Sequence, residues 1–208
     1  IEGSRPVFER LFRRYGLPDR LRTDNGAAFA SSALGRLSTL SVWWVRLGIL
    51  PDLIEPAHPQ QNGRHERRHR TLKAETARPP EATLEAQQRR FDRCRRRYNQ
   101  VRPHESLNDA TPASCYTASP RPYPRQLPAR EYPGHFEVRR VSRNGGIRWH
   151  HHWVNVSHLL AEEYVGFEAV DEELWEGYFG PVWPGRFHEA TNRIVAQFGH
   201  PARREGGN

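Results

Sequence analysis

In the first half of the chain, apolar positions recur at helical spacing and are punctuated by glycine and proline. Val7, Phe8, Leu11 and Phe12 fall at i, i+1, i+4 and i+5 with Arg13 and Arg14 opposite, which predicts a helix over 6–15 that Gly16 and Pro18 end. Leu21, Arg22 and Thr23 read as a short strand running into Asp24, Asn25 and Gly26, a turn signal. Ser32 reads as the cap of a second helix over 33–47, with Leu34, Leu37, Leu40, Trp44 and Leu47 on one stripe. At that spacing Trp43 and Trp44 read as core, not as a stacking surface. Gly48 closes the helix, and Ile49 to Ile54 reads as a strand broken by Pro51.

The pattern then turns polar. If Asn62 opens a helix, Asn62, Glu66, Arg70 and Lys73 fall at i, i+4, i+8 and i+11, one face with a single acid among basic and amide side chains. After Pro79 and Pro80, Thr83 caps a predicted helix over 84–101, with Leu84, Gln88, Phe91, Arg95 and Tyr98 on one side, and Arg102-Pro103-His104 ends it. From Ala118 to Pro133 five prolines are interleaved with Arg and Tyr, a semi-rigid linker. Beyond it period-two runs take over. Phe136–Val141 and Ile147–Val154 read as a hairpin turning at Arg143–Gly146, with Ile147, Trp149, His151 and Trp153 on one face, and Tyr164–Val170, Leu174–Phe179 and Ile194–Phe198 add strands.

Composition sharpens this picture at one place. The net charge is +8, and the segment from Gln60 to His104 holds thirteen Arg and Lys against five acids, so it carries the whole excess. Such a concentration is the footprint of a protein that holds a phosphate backbone, and it is also the composition of a solvated helix face. Lys73 is the only lysine, a bias that lowers the weight of any single arginine. Cys94 and Cys115 lie neither in a CxxC pair nor at zinc spacing, which excludes a disulfide framework and a structural zinc and points to a reducing compartment. His150, His151 and His152 alternate between two faces with no carboxylate spaced to join them, so they are not read as a metal site. No apolar run approaches the roughly 20 residues of a membrane span.

Three blocks carry a resemblance. TDNGAAF (Thr23 to Phe29), HPQQNGRHERRHRTLK (His58 to Lys73) and YNQVRPHESLNDATPASCY (Tyr98 to Tyr116) resemble, in order, the integrase core of bacterial insertion-sequence transposases of the IS481-like branch. The resemblance covers roughly residues 5–117 and implies an α/β RNase H-like domain whose three acids hold Mg²⁺ or Mn²⁺ for DNA cleavage and joining. On that resemblance Asp24 is similar to the family's second aspartate and Glu66 to its glutamate, with Asn62, Arg64, Arg67, Arg70 and Lys73 along the DNA. The first aspartate has no counterpart here, since Asp19 belongs to the loop ahead of the strand that leads to Asp24. With an initial Met also absent, the chain reads as an amino-terminally truncated core, inert by itself. The expected organisation is a partial integrase core over 1–117, a linker over 118–133, a small β domain of the SH3-like barrel kind over 134–199 and a flexible tail over 200–208. The resemblance also implies DNA as partner, a homo-oligomer in the full-length family, no membrane association and a bacterial cytoplasmic, nucleoid-associated setting. The alternative is a transposase remnant that only binds DNA.

Overall fold

The computed structural model describes residues 3–55, 58 and 63–196, with the side chains of residues 64 and 65 outside the described part. In chain order the elements are α1 (Ser4–Tyr15), β1 (Arg20–Thr23), α2 (Thr39–Arg46), β2 (Leu50–Leu53), α3 (Gly63–Thr76), α4 (Leu84–Arg96) and α5 (Pro112–Cys115). Seven strands follow: β3 (Glu137–Arg140), β4 (Gly146–Trp149), β5 (His152–Asn155), β6 (Tyr164–Asp171), β7 (Leu174–Phe179), β8 (Val182–His188) and β9 (Arg193–Val195). Helices and sheets are mixed, as the α/β expectation required. The chain forms two compact units, one of Ile1–Ile54 with Pro120–Asn208 and one of Glu55–Ser119. One boundary between the units, Ser119 to Pro120, falls within 118–133, and the other, Ile54 to Glu55, divides the expected 1–117 core.

In the first unit, β1 and β2 pair in parallel with Arg20 opposite Leu50 and Thr23 opposite Leu53. Helix α1 ends where the sequence said, with Gly16 at a positive φ of 79° and its N–H bonded to the Phe12 carbonyl. Of its apolar stripe only Phe8 and Phe12 turn inward, while Val7 and Leu11 stay exposed. Helix α2 starts later than expected. Gly35 and Arg36 both take positive φ, which breaks the predicted helix after a short 3-10 turn, and Ser38 becomes the cap in a reciprocal box with Ser41.

Within α2 only Thr39 and Arg46 face solvent. Leu40, Trp43, Trp44 and Leu47 join Phe12, Leu17 and Ile49 in one core, with Phe8 and Phe29 packed against it. Val42 and Val45 join the other core with Val141, Ile147, Trp149, Phe167, Phe179 and Phe187 of the sheets. A helix whose apolar residues point both ways is one packed between two cores. The reading of Trp43 and Trp44 as core holds: they are 5% and 0% exposed.

The proline-rich segment is laid along this unit. The Leu17 N–H donates to the Arg121 carbonyl at 2.7 Å. The Arg121 guanidinium donates to the carbonyls of Leu47 and Gly48 at 3.0 and 2.9 Å and to Asp19 Oδ1 at 2.8 Å. Nine residues on, Arg130 donates to the Val45 carbonyl at 2.9 Å and lies over the Phe179 ring, and Tyr132 donates to the Tyr164 carbonyl at 2.8 Å. Prolines deny the segment a ladder of its own, so its side chains bind it to the last carbonyls of α2, the end where a helix favours cations.

The β sheets depart from expectation in two ways. The order β3-β6-β7-β8-β9 is antiparallel and open among the described residues, with β3 and β9 at its ends, so barrel closure is not seen. The expected strand over 147–154 is instead a hairpin, β4 against β5, that turns at His150 and His151 with His150 at a positive φ of 48°. The chain does reverse at Arg143–Gly146, where the Gly145 N–H bonds to the Ser142 carbonyl, but β3 pairs with β6 and β4 with β5. Strand β8 lacked a sequence signal because Pro184 and Gly185 interrupt its run.

Candidate nucleic-acid interface

The second unit is built on α3 and α4. Helix α3 opens at Gly63, carries Glu66 in its first turn and Lys73 in its last, the charge order its dipole favours. Thr76 is buried, with its hydroxyl bonded to the Leu72 carbonyl. Thr83 caps α4 by accepting from the Ala86 N–H, as the sequence indicated, and Arg97–Val101 prolongs it as a π-helical turn.

Several of the thirteen basic residues brace this hairpin. Arg90 donates to the carbonyls of Glu75 and Pro79 at 3.1 and 2.6 Å and pairs with Glu81 at 3.5 Å. Arg102 pairs with Glu75, Arg95 with Asp92, and Arg68 lies over the Tyr98 ring. Arg95 and Asp92 are an i, i+3 pair on α4, but no sequence signal marked Arg90, Arg102 or Arg68, whose partners come from turns and from residues well removed along the chain. Cys94 is also internal. Burial pushes its thiol up, and the Glu75 carboxylate at 3.3 Å adds to this, so it is not primed as a thiolate.

The opposite face of α3 is open. Glu66, Arg67, Arg70 and Lys73 are exposed, and none of their side chains has an ion pair or hydrogen bond among the described residues. Glu66, Arg70 and Lys73 follow one another at i, i+4 and i+7, so the structure keeps them on one face as expected. Asn62 and the Arg64 side chain lie outside the described residues.

Asp24 lies in the first unit, immediately after β1. It is exposed, and its Oδ1 accepts the Gly26 N–H at 2.9 Å, an Asx turn. The turn is pinned by its neighbour: Asn25 donates to the Ile54 carbonyl at 3.1 Å and accepts from Arg36 at 2.6 Å. Arg22 and Asp52, opposite each other on β1 and β2, form a 2.8 Å ion pair. The local geometry presents the Asp24 carboxylate at the carboxyl end of a parallel strand, the edge where open α/β sheets place ligands.

A hard divalent cation needs carboxylate oxygens, and Asp24 and Glu66 are of that kind. In number they fall short: among the described residues no group of three His, Cys, Asp or Glu gathers to hold a metal. Within the histidine run, His150 pairs with Glu189 at 3.1 Å. Among the described residues no helix is long and apolar enough to cross a membrane.

Comparison with known proteins places the family match on β2 of the first unit and on most of the second. Residues 47–112 match the integrase core domain. The chain is 37% identical over 99 residues to an uncharacterized 39.2 kDa protein of insertion element IS476 from Xanthomonas euvesicatoria, an alignment that takes in 47% of this chain and 27% of that protein. The chain thus spans about a quarter of the length of the curated relative it matches. Glu66, Arg67, Arg70 and Lys73 fall within the matched integrase-core residues, and Asp24 falls before them.

Proposed function

We propose that this chain is part of an insertion-sequence transposase of the integrase type, an RNase H-like core in the full protein, and that its own contribution is to hold DNA along the open face of α3. One observation carries the reading: the segment matched as an integrase core contains a helix face on which Arg67, Arg70 and Lys73 have no protein partner among the described residues. Cations braced by carboxylates, as Arg90 is, are spent within the fold, whereas unpaired ones retain their attraction for phosphates. Asn62 and Arg64 extend that face in sequence.

Asp24 and Glu66 are the proposed metal ligands, by resemblance for both and within the matched segment for Glu66. On the resemblance, divalent metal held by such carboxylates would supply stabilisation of the attacking and leaving oxygens of an in-line phosphodiester displacement. DNA cleavage and joining belong to the whole protein, and this chain is expected to bind without joining. Purified chain given Mn²⁺ and a terminal oligonucleotide should yield no strand-transfer product, and a joined product on a sequencing gel would refute this.

Binding is tested by titrating duplex DNA between about 50 and 200 mM salt. Affinity should fall steeply, and Arg70→Ala and Lys73→Ala should each lower the slope of log K against log salt by about 1. An affinity independent of salt would overturn the electrostatic reading.

A further inference from the structure

The hairpin of β4 and β5 has a face that the DNA-holding helix does not account for. Arg148 and Trp153 are directly paired across the strands, so their side chains leave the same side of the sheet. Trp149 is 2% exposed and lies in the core, whereas Trp153 is 47% exposed. Trp153 is nevertheless held in place. Its indole N–H donates to Asn155 Oδ1 at 3.1 Å, and its six-membered ring packs on Gly146, where an added Cβ would fall 2.5 Å from the ring. One ring face is thus against the backbone, the single polar atom is satisfied, and what remains is an open π face.

We propose that Trp153 is a stacking platform for an unpaired DNA base, with Arg148 beside it to meet the adjoining phosphate. This inference rests on the DNA-binding reading above. Charge complementarity selects the occupant. Ser142 to Leu160 holds Arg143, Arg148 and four histidines and no carboxylate, whereas β3, β6 and β7 carry Glu137, Glu168, Asp171 and Glu176. Glu162 engages Arg143 and Glu189 engages His150, but Arg148 has no acidic partner among the described residues. An aromatic face with no free hydrogen-bonding atom reads no sequence; it takes any base by its π surface, provided that base is out of the helix stack.

The test compares a labelled single strand of about 12 nucleotides with the duplex of the same sequence, by fluorescence anisotropy at low salt. Trp153→Ala should weaken single-strand binding about five- to a hundred-fold. Trp153→Phe should keep most of it, and duplex binding should change less than about twofold in both. Arg148→Ala should weaken the single strand too, by less than Trp153→Ala. Melts of each variant establish that the fold is retained, as expected for an exposed side chain. No loss on the single strand with Trp153→Ala, or an equal loss on both DNA forms, overturns the platform while leaving the α3 reading standing. Wild-type chain that binds neither form overturns both.

Discussion

Arg121 satisfies backbone oxygens that nothing else in the described chain reaches. Its guanidinium meets the carbonyls of Leu47 and Gly48, just past the end of α2, and the carboxylate of Asp19. Removing it leaves those carbonyls without a donor and frees the proline-rich segment. Arg121→Ala should therefore cost about 1–3 kcal/mol, read as a lower midpoint in urea, with Arg121→Lys recovering part because an ammonium cannot span the same fork. Tyr178 makes a second prediction at this scale. Its phenol donates to Glu176 at 2.9 Å with Glu168 at 3.4 Å, and burial first, then these carboxylates, push its pKa far up. A raised folded value means the native state holds the proton longer than the unfolded one. The stabilisation is whole below the ordinary tyrosine value of 10.0 and is lost as pH rises from there toward the folded value. The melting temperature should accordingly fall above about pH 10, less steeply in Tyr178→Phe. Some slope should remain there, because burial also raises Tyr132.

Among the elements, α2 outranks the rest, since both cores of the first unit meet on it. Trp44 sits between Phe8, at 5.0 Å and nearly edge-on, and Phe29, at 5.9 Å and stacked. Trp44→Ala should cost about 3–5 kcal/mol by calorimetry or denaturant melt, where Trp153→Ala at the surface costs within about 0.5. The same chain thus offers a buried and an exposed tryptophan whose sequence surroundings look alike. That likeness marks where the sequence was readable. The Asp24 turn, the Thr83 cap, β6 and β7 followed from local signals that act within a few residues, and the Glu66 face followed from helical periodicity alone. The start of α2 did not, because Gly35 ends a helical turn only through a left-handed backbone that propensity does not announce. The hairpin at His150 was hidden for the same reason, since histidine seldom takes a positive φ, and missing that turn put Trp149 and Trp153 on one face when they lie on opposite ones. The Arg121 and Arg130 contacts join residues more than seventy positions apart, beyond any periodicity.

For the molecule as a whole, the interleaving of the first unit has a thermodynamic signature. Residues 3–54 and 120–196 share α2 and the segment that straps it, so they should unfold in one transition by every probe that reports on them. Native-state hydrogen exchange should give amides of α2 and of β6 a common opening free energy, and a lower one for β6 alone would show that the sheet unfolds independently. A fragment of residues 134–196 should lack a cooperative melt, since Val165, Phe167, Phe179 and Phe187 would lose Val42 and Val45 from their core. Substitutions on the Glu66 face should change DNA affinity and leave the melt of the first unit unmoved, because those side chains are exposed and belong to the other unit.

The position of α2 between two cores also sets an order of events at the ribosome. Val141, the first residue of the sheet-side core beyond α2, follows Val45 by 96 positions, and until it emerges Val42 and Val45 have none of their later core partners in the nascent chain. At about 5–20 residues per second this leaves an apolar helix uncovered for on the order of ten seconds, long enough for misassociation between neighbouring chains. In the folded protein the apolar side chains of α2 are buried, so the hazard belongs to synthesis alone, and the yield of folded chain should depend on translation rate and on chaperones that hold the emerging α2 segment.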